Sequence, residues 1–457
     1  MPGGPPLPPE RDVPFEVMAM PSGPTCNIEC EYCYYIDKTA LYPGSSNFGM
    51  SDQTLETFVE QYIEAHPGPQ VTFAWQGGEP TLRGLDFFRD VVRLQEAYSP
   101  SDKRIVNTLQ TNGTLLDDEW GRFLSNNEFL VGISIDGPRD LHNQYRKTGA
   151  DGPTFEEVMN GLSVLQKHDI EYNVLCVVSD QNSQHPQRVY DFFKSRGVEW
   201  LQFIPLIEMA EMEGTPPPSS DRESRTETIR PGGSPDRRKY EWVEERAELP
   251  DDYDEGYEDV LEAARESPVT DRSVDPLAYG DFMRTIFDDW VRNDVGTVSV
   301  RLFDHIVETA LRGQSNSCIF LETCPDQVAI EHNGDIYSCD HFVDPGFRLG
   351  NIHERHLVEM LESDEQRRFT VYKREGLPTR CRECSVLEFC RGGCPKNRHL
   401  QTPDGEYGLN YLCGGYRDIF SYVQPYLPLF ERVDDANKPF PLVTNVVRTL
   451  DERTNTS

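Results

Sequence analysis

Cys26-Asn27-Ile28-Glu29-Cys30-Glu31-Tyr32-Cys33 places three cysteines in the spacing C-x3-C-x2-C on one short loop near the N-terminus. Three thiolates so spaced can hold three irons of a cubane cluster and leave the fourth iron without a protein ligand, open to bind a substrate. Half of a zinc site, or a set of buried thiols, would also produce such a triplet. The sequence on either side has to separate these readings.

Upstream, Phe15 to Met20 reads as a strand that ends just before the loop. Downstream, strand-like and helix-like segments alternate. Asp52 to Ala65 has helical periodicity with Asp52 as a possible cap, and Val71 to Trp75 is the next strand. Leu85 to Ala97 is helical, Arg104 to Leu109 a strand, Asp117 to Ser125 a helix, and Phe129 to Ile135 a strand. Phe155 to His168, Glu171 to Val178, Pro186 to Arg196 and Trp200 to Pro205 continue the alternation. Repeated β-α units of this length imply a parallel sheet with helical crossovers. Six of them predict an α/β fold, a partial (β/α)6 barrel over residues 1–208, with its chemistry at the C-terminal ends of the strands.

Polar and glycine-rich residues fall at those ends. Gln76-Gly77-Gly78-Glu79-Pro80 follows the second strand, and its glycines let backbone approach a ligand closely. Gln110-Thr111-Asn112-Gly113 follows the third strand, and Ser134-Ile135-Asp136-Gly137-Pro138 the fourth. Arg146 beyond them is able to pair with a carboxylate in bidentate fashion. Each taken singly fits an ordinary loop; on successive strand ends beside the cysteine triplet they mark a shared site. The combination, with Tyr32 ahead of the last cysteine, resembles the core of the radical S-adenosylmethionine (SAM) superfamily. That resemblance implies that the amino and carboxylate groups of SAM chelate the open iron of a cluster on Cys26, Cys30 and Cys33, with the Gly77-Gly78-Glu79 turn meeting the amino group. It also implies SAM contacts from Tyr32, Gln76, Asn112, Ser134 and Arg146, and one from Leu206 or Ile207 after the sixth strand.

A second cysteine array follows: Cys318-x5-Cys324-x14-Cys339, then Cys381-x2-Cys384-x5-Cys390-x3-Cys394, then Cys413. Eight thiolates are what two fully ligated four-iron clusters require, and two or more zinc sites would satisfy the same count. The array, including Arg391-Gly392-Gly393-Cys394-Pro395, resembles the SPASM extension that follows radical SAM domains in peptide-modifying enzymes. By that resemblance Cys318, Cys324, Cys339 and Cys394 hold one auxiliary cluster and Cys381, Cys384, Cys390 and Cys413 the other, making three 4Fe-4S clusters in all. Asp340, directly after Cys339, matches the general base of anaerobic sulfatase-maturating enzymes, with His341 as an alternative. The twelfth cysteine, Cys176, lies in an apolar strand and reads as a buried small residue.

The chain has 457 residues, enough for two or three domains, and carries a net charge of −34. Such self-repulsion keeps a protein soluble where salt screens charge over a few ångströms, so a halophilic cytoplasm is expected. It argues against nucleic acid, whose phosphates need basic surfaces. No apolar run reaches membrane-spanning length, and the start of the chain lacks the pattern of a signal peptide. A cytoplasmic location is therefore expected, where cysteines serve as metal ligands rather than disulfides. Residues 209–275, rich in Pro, Ser, Arg and acid, read as a solvated, disordered insertion, with a docking arm for a partner as the alternative. A helical connection over 276–317 contains the helices Tyr279 to Asn293 and Leu302 to Arg312. A SPASM domain over 318–432 and a polar tail over 433–457 complete the organisation.

The resemblance to anaerobic sulfatase-maturating enzymes covers nearly the whole chain outside the N-terminal arm, the insertion and the tail. It implies oxidation of a Cys or Ser in a sulfatase to Cα-formylglycine. SAM is cleaved reductively, the resulting radical removes a hydrogen from the target Cβ, Asp340 takes the thiol or hydroxyl proton, and an auxiliary cluster accepts an electron. Implied partners are a sulfatase polypeptide with a Cys/Ser-x-Pro-x-Arg motif and a low-potential donor such as ferredoxin or flavodoxin. Three other readings stand beside it: a SPASM maturase that forms thioether or carbon-carbon crosslinks, an iron-sulfur electron carrier without SAM chemistry, and a zinc-based interaction scaffold.

Overall fold

The computed structural model describes residues 12–45, 47–210, 257–315, 317–436 and 438–454. Six strands follow the alternation read from the sequence: β1 (Glu16–Met20), β2 (Gln70–Trp75), β3 (Arg104–Thr111), β4 (Leu130–Ser134), β5 (Tyr172–Val178) and β6 (Trp200–Pro205). Each pairs in parallel with the next, as strands joined by helical crossovers must. A short β7 (Ser299–Val300) extends the sheet beyond β6. At the other edge β8 (Gln327–Glu331) pairs in parallel with β1 over five residues, and the antiparallel strands β9 (Asp335–Tyr337) and β10 (Arg348–Asn351) continue outward. The result is one ten-stranded sheet, ordered β10-β9-β8-β1-β2-β3-β4-β5-β6-β7.

Alternation along the strands decides which face is filled. Val17 and Ala19 on β1, Val71, Phe73 and Trp75 on β2, and Val174, Cys176 and Val178 on β5 are fully buried. Phe73 and Trp75 meet Phe58 and Tyr62 of the helix Asp52–Ala65 and Phe88 of the helix Gly84–Tyr98. Each such side chain contributes roughly 1.5–3 kcal/mol through apolar burial. Trp75 hydrogen-bonds Asn107 through Nε1 at 2.9 Å, which satisfies its polar atom inside this core. The cap of the first helix is Ser51, whose Oγ accepts from the Thr54 amide, and not Asp52, which is already in the first turn.

Two expected boundaries move. The described end of the stretch expected to be disordered is ordered: Tyr257–Arg265 is a helix with Val260, Leu261 and Ala264 buried, and Val269 bridges to Met209. The part of that stretch from 211 to 256, with the docking-arm alternative, lies outside the described residues. The expected polar tail contains the helix Pro441–Thr454, whose Val443 and Val447 are buried and whose Thr444 Oγ1 donates to Val291 O at 3.1 Å. Apolar residues at four-residue spacing dock this helix on Pro276–Asn293. Of the helical connection, Pro276–Asn293 and Arg301–Arg312 are helices, the first capped by Asp275 through the Leu277 and Ala278 amides.

Candidate active site

The cysteine loop leaves β1 at Met20 and is fastened from two sides. Glu29 and Glu31 donate backbone hydrogen bonds to Lys147 O (2.7 Å) and Tyr145 O (3.0 Å). On the opposite flank, Gly78 and Glu79 donate to Gly23 O (2.9 Å) and Thr25 O (2.8 Å). A Cβ on Gly78 would stand 2.1 Å from Thr25 O. The close approach that the glycine pair permits is thus to the chain's own segment leading into the cysteines.

Glu79, 1% exposed, accepts at Oε1 from the Thr81 amide (3.0 Å), Thr81 Oγ1 (2.5 Å) and Thr111 Oγ1 (2.7 Å), and at Oε2 from the Asn112 amide (2.7 Å). Burial raises its carboxyl above the ordinary value while these donors oppose the shift. One side chain thereby joins the ends of β2 and β3. Asn112 Nδ2 in turn donates to Asn27 Oδ1 at 2.9 Å and lies 3.6 Å from Cys26 Sγ.

Arg146 does not present a free fork. Its Nη1 donates to Tyr32 Oη at 2.9 Å and stands 3.8 Å from Asp136 Oδ1, while Tyr32 Oη donates to Asp136 Oδ2 at 2.5 Å. All three side chains are buried. The carboxylate that Arg146 meets belongs to this chain and is met through one nitrogen, where bidentate pairing with a ligand was expected. Its Nε is buried without a partner among the described residues. Asp136 also accepts from the Val177 amide at 3.0 Å, tying this triad to β5. Leu206 packs with Ile28, Cys30, Tyr32 and Tyr145, whereas Ile207 packs on the main core. Of the two, Leu206 is the one beside the cysteine loop.

Ser134, at the end of β4, accepts from Gln110 Nε2 at 3.1 Å. Gln76, at the end of β2, donates through Nε2 to Met18 Sδ (2.9 Å) and reaches Asp340 Oδ2 at 3.5 Å. β9 runs back antiparallel to β8, with Tyr337 opposite Ala329 and Ala329 opposite Met18, and the segment after it brings Asp340 within reach of Gln76, the side chain that also meets Met18. Tyr34, one residue past Cys33, meets this segment: its ring is 5.9 Å from His341, with Lys396 Nζ 4.4 Å above it. His341 Nδ1 lies 3.5 Å from Cys394 Sγ, and a ring nitrogen of His341, a carboxylate oxygen of Asp340 and Cys339 Sγ all lie within 4.8 Å of one another.

No described cysteine forms a disulfide. Burial, with a smaller contribution from the neighbouring Cys33, pushes Cys26 up to about 11 and, against the opposing pull of Arg146, Cys30 up to about 12. The eight C-terminal cysteines separate by mutual influence into two sets. Cys318 responds to Cys394 and Cys324, Cys324 to Cys394, and Cys339 to Cys394. Cys413 responds to Cys381, Cys390 and Cys384. Burial raises every one of these thiols for which a shift is resolved; at Cys394 alone it is outweighed, by His341, the Lys396 amide and Lys373 together, so that this thiol lies below the ordinary value. Several buried thiols crowded together hold their protons in the absence of a cation, and a metal core is what makes thiolates favourable there. The donor chemistry of one group of three and two groups of four fits iron-sulfur clusters.

Four observed features were not legible as contacts: the Tyr32–Asp136–Arg146 triad, the fourfold use of Glu79, the place of Tyr34, and the burial of Lys373 and Arg398 among the C-terminal cysteines. Asp136 and Glu79 stood inside motifs that drew attention, but nothing in a sequence tells which side chain a buried carboxylate faces.

Comparison with known proteins matches residues 20–193 to the radical SAM superfamily and residues 318–385 to SPASM, an iron-sulfur cluster-binding domain. A serine-type anaerobic sulfatase-maturating enzyme of Bacteroides thetaiotaomicron is 39% identical over 96% of this chain and 95% of its own. A cysteine-type enzyme of Clostridium perfringens is 32% identical over 91% and 97%. A solved structure of native anSMEcpe with bound AdoMet and Cp18Cys peptide superposes with a TM-score of 0.73 at 31% identity, covering 92% of this chain and 99% of that one. Identity above 30% along more than nine-tenths of each chain, with one fold in common, settles the family: the chain belongs to the radical SAM anaerobic sulfatase-maturating enzymes.

Proposed function

We propose that this enzyme oxidises a Cys or Ser side chain of a sulfatase polypeptide, within a Cys/Ser-x-Pro-x-Arg motif, to Cα-formylglycine. The observation that carries this reading is the contact of Asp340 with Gln76, a residue that follows β2 as the cysteine loop follows β1. The cofactors are SAM and three 4Fe-4S clusters, on Cys26/Cys30/Cys33, on Cys318/Cys324/Cys339/Cys394 and on Cys381/Cys384/Cys390/Cys413. Bound together they supply removal of a hydrogen atom from the substrate Cβ and an acceptor for the remaining electron.

The chain's own residues do the rest. Asp340 takes the proton of the substrate thiol or hydroxyl, and the Gln76 amide, which donates to Oδ2, holds the carboxylate toward the site. His341 is the weaker candidate, since Cys394 occupies its Nδ1. Tyr32, Asp136 and Arg146 set the cysteine loop, and Asn112 fixes Asn27 beside Cys26. Gly77, Gly78, Ser134, Arg146 and Leu206 stand around the loop as the surface for SAM. Tyr34 and Lys396 stack beside His341, between the cysteine loop and the Cys339 segment.

The electron donor is a low-potential protein such as ferredoxin or flavodoxin, and the acidic chain works in a salt-rich cytoplasm. No helix among the described residues is long and apolar enough to cross a membrane. The test is anaerobic incubation of reduced protein with SAM and a peptide carrying Cys-x-Pro-x-Arg or Ser-x-Pro-x-Arg, read by peptide mass. Conversion of either to the aldehyde is expected. SAM cleavage with no aldehyde on either would sink the sulfatase reading and favour a crosslinking maturase.

A further inference from the structure

Two buried cations lie among the eight C-terminal cysteines, and among the described residues neither has a carboxylate partner. Arg398, 8% exposed, donates only to backbone carbonyls: Nε to Gly392 (2.9 Å), Nη1 to Lys373 (2.5 Å), and Nη2 to Arg391 (2.8 Å) and Gly393 (3.1 Å). Lys373, fully buried, donates through Nζ to Cys318 O at 2.5 Å. Charges so placed are costly unless something negative lies close by.

Their positions say what that is. Arg391-Gly392-Gly393 is the turn that carries the chain from Cys390, in one cysteine set, to Cys394, in the other. All three residues have left-handed backbone, with φ of 46, 72 and 63°. Arg398 holds the three carbonyls of this turn, and through the Lys373 carbonyl it connects to the cation that binds at Cys318. Thiolates of both sets act on Arg398, those of Cys381 and Cys390 and those of Cys394 and Cys324, whereas Lys373 responds to Cys324, Cys318 and Cys394 alone.

We propose that Lys373 and Arg398 are built-in counter-charges of the auxiliary clusters, Lys373 serving the Cys318/Cys324/Cys339/Cys394 cluster and Arg398 serving both, and that they set the potentials at which these clusters accept an electron. The inference rests on the cluster assignment made above. A four-iron core with four thiolates is anionic and becomes more so on reduction, so a fixed cation beside it stabilises the reduced form more than the oxidised one. Both residues act through the cluster and are positioning residues.

The experiment uses the full-length protein with its clusters reconstituted anaerobically, in the unaltered form and as Arg398→Met, Arg398→Lys, Lys373→Met and Lys373→Arg. Iron content and an EPR-monitored redox titration of each cluster are the readouts. Arg398→Met should lower both auxiliary midpoint potentials, and Lys373→Met only that of the first. A tenfold change in the one-electron equilibrium corresponds to about 59 mV. The Cys26/Cys30/Cys33 cluster serves as an internal reference that does not move. Where a Met variant loses iron, recovery of iron and potential in the charge-keeping variant supports the proposal. Unchanged potentials at full iron content, or iron loss in both variants at a position, would overturn it. Absence of auxiliary clusters from the unaltered protein is a separate result, and it would refute the cluster assignment itself.

Discussion

The loop after β1 and the C-terminal array both gather cysteines, but over very different lengths of chain. Cys26, Cys30 and Cys33 come from eight consecutive residues and are held by neighbours on β2, β3 and the segment after β4. The other eight come from Cys318 to Cys413, and two cations and a left-handed turn interlock their sets. A short loop gathers three thiols from neighbouring residues, whereas gathering two sets of four takes long-range folding. The first region is built to bind and the second to be sealed.

The contrast breaks most sharply at Cys30. Cys30→Ala should abolish SAM cleavage while leaving about eight of about twelve irons per chain; loss of all iron would show that the two regions do not assemble independently. Asp340→Asn should keep every cluster and still cleave SAM, yet lower peptide oxidation by roughly 10²–10⁴-fold. Near-normal aldehyde yield by mass would remove Asp340 from its role. Arg146→Met leaves Asp136 buried without its cation and should cost about 3–5 kcal/mol in chemical denaturation. Burial raises the Asp136 carboxyl and Arg146 opposes it, so in the variant the folded form holds its proton above the ordinary carboxylate range. The folded state then binds more protons than the unfolded one, and the variant's stability should fall as pH rises from 4 toward 7. A loss that is equal at both pH values would mean that the triad works by packing. Gly393→Ala sets a Cβ 2.5 Å from Asn410 Nδ2 at a left-handed position. It should cost about 1–3 kcal/mol and release iron only from the C-terminal sets, as metal analysis would show.

Much of the first half was readable because its signals are local. Period-two and helical patterns located β1 to β6 and the longer helices between them, but not the seven-residue helix Arg139–Tyr145, and the helix Asp52–Ala65 has the expected ends. The capping error of one residue, Ser51 for Asp52, reflects two neighbouring side chains that are equally able to accept from the first turn. What escaped is non-local. The pairing of β8 with β1 joins residues more than 300 apart, and no pattern within either strand names the other. The triad at Arg146 depends on how β4, β5 and the cysteine loop meet. The helix Pro441–Thr454 was hidden by its polar composition, since only one of its faces meets the body.

The strand β8 also fixes a distance. With Glu16 opposite Gln327 and Met20 opposite Glu331, the sheet acts as a ruler between the exit of the cysteine loop and the segment bearing Asp340, graduated in steps of about 3.3 Å per residue. A single residue deleted from β8 would slide Asp340 by one graduation and turn its neighbours to the other face. A chain ending before β8 would leave the edge of β1 bare and prone to pair with other molecules. The cysteine loop and the segment bearing Asp340 are therefore held in register by main-chain hydrogen bonds between β1 and β8.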